Sequence, residues 1–112
     1  MVSTVRQLDA WSKEAGVYDP SFYNFAVTDG RSVVATRYVS DEAREPLSLY
    51  YSSGARFECR DGACRMVRAE PGERAVIVTS EPLTELREDW QKVPRNHAVV
   101  VTQGLEVELS PL

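Results

Sequence analysis

The sequence predicts an α+β fold, with one N-terminal helix followed by a mostly antiparallel β-sheet of about seven strands. Apolar residues recur at helical spacing only in residues 1–16. From Phe22 to Leu109 the chain is instead a series of short runs rich in β-branched and aromatic residues. Tight-turn dipeptides separate several of these runs, and such turns join antiparallel neighbours. The 112 residues suit a single domain, residues 1–112.

The helix is predicted from an apolar stripe near the N-terminus. Its members recur at helical spacing and are Val5, Leu8, Trp11 and Ala15. Thr4 and Gln7 fit a capping box, in which each side chain bonds a backbone amide at the start of the helix. Gly16 stands where a helix-ending glycine is expected.

The first predicted hairpin covers Asn24–Tyr38 and turns at Asp29-Gly30, a dipeptide typical of two-residue turns. Its second strand, Ser32–Val39, presents two alternating faces. A charged loop, Ser40–Pro46, then leads to a short strand, Leu47–Ser52.

A second hairpin is predicted from Arg56–Arg60 and Ala63–Arg68, with Asp61-Gly62 as its turn. This turn makes Cys59 and Cys64 cross-strand neighbours, with Cα atoms ~4.5 Å apart. The distance permits a disulfide. Two free thiols packed across the hairpin are the favoured interpretation, because cytosolic cysteines are kept reduced.

The last third of the chain contains one more buried strand and a third hairpin. Ala75–Ser80 carries the continuous apolar run Val76–Val78, which is typical of a strand in the centre of its sheet. Thr84–Val93 is acidic and is either a helical turn or an irregular connection. Ala98–Thr102 and Glu106–Leu109 are predicted to pair as the third hairpin.

Composition excludes several classes of function. Thirteen Lys+Arg against seventeen Asp+Glu give a formal net charge of −4, which disfavours a nucleic-acid binder. The longest apolar runs, of which Ala98–Val101 is one, are far shorter than the ~18 residues of a membrane span, so no membrane partner is expected. Arg6 and Asp9 interrupt Met1–Gly16, which therefore lacks the apolar core of a signal peptide. A cytoplasmic location is expected.

Few residues suit chemistry near neutral pH, since the chain has one histidine and two cysteines. His97 is either a general base or metal ligand or, as favoured here, a turn residue at the start of a strand. Cys59 and Cys64 supply two of the about four ligands of a structural zinc site, and His97 could be a third, but no fourth is apparent.

An acidic cluster and one serine complete the candidates. The cluster is either an acid–base pair or, as favoured here, a solvated face; its members are Glu81, Glu85, Glu88 and Asp89. Ser80 lacks the glycine context of a nucleophilic elbow. The residues therefore predict no catalytic, cofactor-binding or metal-binding side chain.

Four stretches have a recognisable order and spacing. They are Asn24–Tyr38 (NFAVTDGRSVVATRY), Ser48–Tyr51 (SLYY), Val76–Thr84 (VIVTSEPLT) and Trp90–Val101 (WQKVPRNHAVVV). Together they resemble the C-terminal half of class II glutamine amidotransferase domains, especially those that act on γ-glutamyl compounds. The resemblance implies half of a four-layer αββα sandwich of the N-terminal-nucleophile type, in which Ser80-Glu81 ends a recurring strand.

The catalytic residues of that family do not map onto this chain. The family's nucleophile is a cysteine at position two, exposed when the initiator methionine is removed, and Val2 stands here. The family's Asn-Gly oxyanion pair is also missing, because Asn24 and Asn96 precede Phe25 and His97. The resemblance thus implies a partial domain, residues 1–112, that is inactive alone and carries no cofactor.

The resemblance implies two kinds of partner, which are the missing N-terminal half of the domain or a second copy of the chain. The alternative is a self-sufficient, non-catalytic binding or scaffold module that dimerises through an exposed sheet face.

Overall fold

The computed structural model describes residues 1–112 as one helix and nine strands. Helix α1 spans Val2–Glu14, and a 3-10 turn spans Arg87–Asp89. The strands are β1 Ala26–Thr28, β2 Val33–Arg37, β3 Tyr50–Ser53, β4 Ala55–Arg60, β5 Ala63–Arg68, β6 Val76–Thr79, β7 Gln91–Lys92, β8 His97–Val101 and β9 Val107–Pro111. The predicted α+β class is confirmed, with nine strands in place of about seven.

All strand pairs are antiparallel, and they form two sheets and a separate hairpin. The larger sheet has the order β1-β2-β8-β9 and the smaller β6-β3-β7, while β4 and β5 pair with each other. Thr28 pairs with Val33, so the first hairpin turns through four residues instead of two. The carboxylate of Asp29 closes that turn by accepting from the amides of Ser32 (2.7 Å) and Arg31 (2.9 Å), which lower its pKa.

The main core lies between the two sheets, which pack face to face. Alternate residues of each strand point to one side of a sheet, so Ala35 of β2 and its partner Val99 of β8 face the smaller sheet together. The buried cluster is Ala35, Leu49, Tyr51, Val93 and Val99, with Val78 and Val107 packed against it. The smaller sheet therefore covers a face that the single helix does not reach.

Helix α1 begins and packs differently from the prediction. Its N-cap is Met1 and no side chain caps it, so the capping box at Thr4 is wrong. The apolar stripe is wrong in part, because Val5 is buried whereas Trp11 is 58% exposed and Ala15 is exposed. Packing rather than periodicity decides the buried side of this helix, and only part of the apolar stripe meets the sheet.

The end of α1 is as predicted. Gly16 has φ +72°, and its amide bonds the Lys13 carbonyl at 3.0 Å. The amide of Val17 bonds the Ser12 carbonyl at 2.9 Å. These two bonds form a Schellman motif, which needs a left-handed residue and so favours glycine.

Tyr38 ties α1 to the larger sheet. Its hydroxyl donates to the carboxylate of Asp9, and its ring stacks on Tyr23 with centroids 5.7 Å apart. Burial and then the hydrogen bond from Tyr38 to Asp9 raise the pKa of Tyr38 to about 12, because both favour the neutral phenol.

The second hairpin has the predicted register but not the predicted thiols. Asp61 and Gly62 both have positive φ, as a two-residue hairpin turn requires, and Cys59 pairs with Cys64. Their Cα atoms are 4.1 Å apart and their sulfurs form a disulfide, so the favoured interpretation of two free thiols is wrong. Direct cross-strand pairing places the two side chains within bonding reach.

Strand β6 lies at the edge of its sheet. Val76–Thr79 pairs with β3 alone, so the prediction of a central strand is wrong in this structure. All four residues of β6 are half-buried. The connection after it contains the 3-10 turn and the short strand β7, which the sequence did not predict as a strand.

The chain is extended for its length. Its radius of gyration is 16.1 Å, against roughly 13 Å for a compact chain of this size. Its accessible surface is 7663 Å², against roughly 6,200 Å² for a folded monomer of 12.6 kDa. Only 14 of 112 residues are buried, although some of the excess surface belongs to the exposed β4–β5 hairpin.

No helix is both long and apolar enough to span a membrane.

Candidate functional site

A buried guanidinium anchors the segment that enters β3. Arg37, the last residue of β2, is 3% exposed. Its Nε donates to the Leu47 carbonyl at 2.9 Å, and its terminal nitrogens donate to the carbonyls of Val93 (3.1 Å) and Pro46 (3.3 Å). One terminal nitrogen also reaches the Glu45 carboxylate at 3.0 Å. Arg37 thus fixes this segment against the chain that follows β7.

Asn24 holds the same segment one residue further on. Its side-chain amide donates to the carbonyls of Ser48 (3.0 Å) and Leu47 (3.3 Å). The side-chain oxygen of Asn24 is buried and has no hydrogen-bond partner. Buried acceptors without a partner are uncommon, so a donor that reached this oxygen would gain a hydrogen bond.

Ser48, held in this way, faces the acidic residue that follows β6. Its hydroxyl donates to the Glu81 carboxylate at 2.5 Å. Thr79 donates from its own hydroxyl to the Glu81 carbonyl at 2.8 Å, which fixes the backbone of the turn. Because Glu81 is exposed, its carboxylate has further acceptor capacity for a ligand or another chain.

A cavity of about 520 Å³ lies next in the chain to the Ser48–Glu81 pair, since Pro82 follows Glu81; it is bounded by Tyr50, Pro82, Thr84, Glu85, Arg87, Trp90 and Lys92. Trp90 is 6% exposed, and its indole N–H donates to the Thr84 hydroxyl at 3.0 Å, which makes a fixed aromatic wall. The cavity is large enough for a small ligand. One carboxylate and two cationic side chains at its rim suit a zwitterionic molecule of the amino-acid type.

The four stretches quoted from the sequence meet at this site. Asn24 comes from the first, Ser48 from the second, Glu81 from the third and Trp90 from the fourth. The polar cluster Asn24–Ser48–Glu81 joins both sheets, because Asn24 precedes β1 whereas Ser48 precedes β3.

His97 is the first residue of β8 and is not a member of the Asn24–Ser48–Glu81 cluster. It is half-buried, and its Nδ1 is 2.7 Å from the Arg95 carbonyl oxygen, which only accepts, so Nδ1 is the donor of this hydrogen bond. Cys59 and Cys64 are bonded to each other. Among residues 1–112 no group of three or more His, Cys, Asp or Glu side chains is arranged to hold a metal ion.

The four carboxylates that cluster in the sequence between residues 81 and 89 lie in three different environments in the structure. Glu81 bonds Ser48, Glu85 borders the cavity, and Glu88 and Asp89 belong to the 3-10 turn. Ser80, which precedes Glu81, is exposed.

Sequence reasoning missed two side chains that position the site. Arg37 carried a signal, because it falls on the same face of its strand as Val33, Ala35 and Val39 and is the charged member of that face. Asn96 carried less: the sequence indicated a turn, but not its contact across the sheet. Its side chain accepts from the Val39 amide (2.9 Å) and donates to the Val39 carbonyl (3.1 Å), as a neighbouring strand would.

The antiparallel fold and the convergence of these four stretches agree with the resemblance to a glutamine amidotransferase. The chain is 39% identical over 106 residues to the probable glutamine amidotransferase DUG3 of Saccharomyces cerevisiae. The match covers 90% of this chain but 30% of the yeast protein, so the chain spans less than a third of that relative's length. The chain is therefore related to a glutamine amidotransferase.

Two other comparisons give no further relative. No protein-family model matches the chain. No solved structure matches it significantly.

Proposed function

We propose that this chain is the C-terminal portion of a class II glutamine amidotransferase domain of the N-terminal-nucleophile type, which hydrolyses a γ-glutamyl amide in the cytoplasm. The observation that carries the proposal is the match to 30% of a much longer amidotransferase. The Asn24–Ser48–Glu81 cluster supports it, because the stretches that carry the family resemblance contact one another there.

We assign the nucleophile to the part of the polypeptide that this chain does not span. Position two, where the family's nucleophile stands, is Val2 inside α1, and Cys59 and Cys64 lie instead in the β4–β5 hairpin. In the proposed reaction a cysteine thiolate of the remaining polypeptide attacks the amide carbonyl, and the C–N bond breaks as the amine leaves with a proton. Water then hydrolyses the thioester to the free acid. A reducing cytoplasm would open the exposed Cys59–Cys64 disulfide without breaking either sheet.

The chain contributes core packing and one wall of the substrate site. The cavity lined by Tyr50, Trp90 and Lys92 is also lined by Pro82, which follows Glu81, the acidic residue of the family stretch. We place the substrate, or the group that leaves it, against this wall, because a γ-glutamyl compound carries both an ammonium and a carboxylate and the rim carries both charge signs.

A chimaera tests the proposal directly. The aligned segment of the yeast protein is replaced by residues 1–112, and ammonia release from glutamine is measured beside the unmodified yeast protein. We expect a folded chimaera with a rate within about ten-fold of the yeast protein, a difference of about 1.4 kcal/mol in the barrier. The yeast protein with the segment deleted is the control. A folded chimaera with the deletion's rate would contradict the proposal.

The isolated chain gives a second test. Purified residues 1–112 should release no ammonia from glutamine, because the nucleophile is absent. Ammonia release that persists after both Cys59→Ser and Cys64→Ser would contradict the assignment of the nucleophile to the missing portion.

A self-sufficient module that dimerises is the second candidate, and exposed apolar residues on the larger sheet favour it. Phe25, just before β1, is 38% exposed, and Val27, within β1, is 54% exposed. The two are alternate residues and therefore point to the same side of the strand. Isologous packing of two copies would cover them. Sedimentation of the isolated chain at micromolar concentration separates the candidates, because this module requires a stable dimer.

A further inference from the structure

We infer that the open edge of β6 is the docking edge for a β-strand from the part of the amidotransferase polypeptide that this chain does not span. The inference rests on the proposed function and adds the place and the mode of docking. Strand β6, Val76–Thr79, is hydrogen-bonded to β3 on one side only. The backbone groups on its other side are therefore free to pair with an added strand.

The composition of β6 is that of a strand with two neighbours. Val76, Ile77 and Val78 are consecutive β-branched apolar residues, a run typical of strands inside a sheet. The structure nevertheless leaves this strand at an edge. A second neighbour would reconcile the sequence pattern with the position.

Most of the other sheet edges carry a charged residue or proline, which hinders pairing, and β6 carries neither. Natural edges are protected by shortness, charged residues or proline. Strand β1 has three residues, β7 has two residues including a lysine, and β9 contains Glu108 and Pro111. The β4–β5 hairpin carries charged residues on both strands. Within Val76–Thr79 there is no charge, no proline and no glycine.

The surface of the chain and the length of its relative both favour a partner outside this chain. The chain exposes about 1,500 Å² more than a folded monomer of its mass, and the part of this excess that lies outside the β4–β5 hairpin is surface that a partner could cover. The yeast relative has more than twice as much polypeptide outside the matched segment as inside it, since the match covers 30% of its length. That polypeptide, rather than a second copy, is the occupant we assign to the edge.

Hydrogen exchange in the chimaera tests the assignment without mutating the edge. The backbone amides of Val76–Thr79 that point away from β3 should exchange at least about 100-fold more slowly in the chimaera than in the isolated chain. A chimaera that does not fold would refute the proposed function and this inference together. A folded chimaera in which these amides exchange as fast as in the isolated chain would refute the inference alone.

Matched lysine variants give the second measurement. Ile77 lies on the face of β6 opposite to Val78, so Ile77→Lys places a charge at the edge without entering the core between the sheets. Val27→Lys makes a similar change on the short edge strand β1. In urea, Ile77→Lys should raise the ratio of unfolded to folded protein by a factor that is at least about ten times larger in the chimaera than in the isolated chain. Val27→Lys should raise this ratio by the same factor in both proteins.

The same variants detect the rival occupant. If the isolated chain dimerises and the amides of Val76–Thr79 become protected as its concentration rises, a second copy covers the edge and the inference is wrong. Equal effects of Ile77→Lys in chimaera and isolated chain would also overturn it.

Discussion

Replacing Arg37 with methionine should destabilise the chain more than any other single change in the polar framework of the site. The side chain is 3% exposed and donates to three backbone carbonyls, those of Pro46, Leu47 and Val93. Methionine keeps much of the side-chain volume but donates nothing. The variant therefore leaves the carbonyls of Pro46 and Val93 without a donor, while the Leu47 carbonyl keeps the Asn24 amide and the apolar contacts of the stem largely remain.

The magnitude follows from the burial of these carbonyls. A buried polar group left without a partner costs about 1–3 kcal/mol. The full sum over three carbonyls is not expected, because the Leu47 carbonyl keeps its hydrogen bond from Asn24 and Leu47 is 59% exposed to water. We expect Arg37→Met to lower the free energy of unfolding by about 3–5 kcal/mol, out of a total of roughly 5–15 kcal/mol for a domain of this size.

Urea denaturation followed by the fluorescence of buried Trp90 measures this difference. Glu45→Gln is the control, because the Glu45 side chain is 73% exposed and its ion pair with Arg37 should contribute less than about 1 kcal/mol. A loss below about 1 kcal/mol for Arg37→Met would refute the role given to the buried carbonyls. An equal loss for Glu45→Gln would show that the ion pair, and not backbone anchoring, is what matters.

Three further predictions concern other parts of the fold. Asn96→Ala removes both hydrogen bonds to Val39 and should lower the free energy of unfolding by about 1–3 kcal/mol in the same urea assay; an unchanged midpoint would contradict this. The raised pKa of Tyr38, about 12, means that its contribution to stability is complete below pH ~10 and is lost as pH rises towards 12. Absorbance of tyrosinate should therefore show one residue titrating late, and Tyr38→Phe should abolish that late step. Reducing the Cys59–Cys64 disulfide, which closes a loop of sequence separation 5, should cost about 2 kcal/mol, and an identical urea midpoint with and without reductant would contradict it.

Hairpins were predictable because their determinants are local. Asp61-Gly62 specifies positive φ at two successive residues, and that alone sets the pairing of Cys59 with Cys64. The first hairpin shows the limit of this reasoning. Its dipeptide lies at the turn, but the side chain of Asp29 bonds two later amides and so stabilises a four-residue connection.

The site was less accessible from sequence, because its residues are far apart in the chain. Asn24 and Ser48 are 24 residues apart, and Ser48 and Glu81 are 33 apart, yet each pair is hydrogen-bonded. No local pattern links them. The resemblance to a known family linked these stretches with one another, but it predicted no contact between their side chains.

The sequence by itself determined the α+β class, the end of α1 at Gly16 and the register of the cysteine hairpin, since each depends on residues close together in the chain. Tertiary structure decided which faces are buried, because burial depends on what packs from elsewhere. Two sheets pack on each other, Trp11 is left exposed, and Arg37 is buried where its guanidinium finds backbone acceptors from two segments. Strand β6 shows both contributions. Its sequence is an apolar run typical of an inner strand, whereas the tertiary structure of this chain gives it one neighbouring strand.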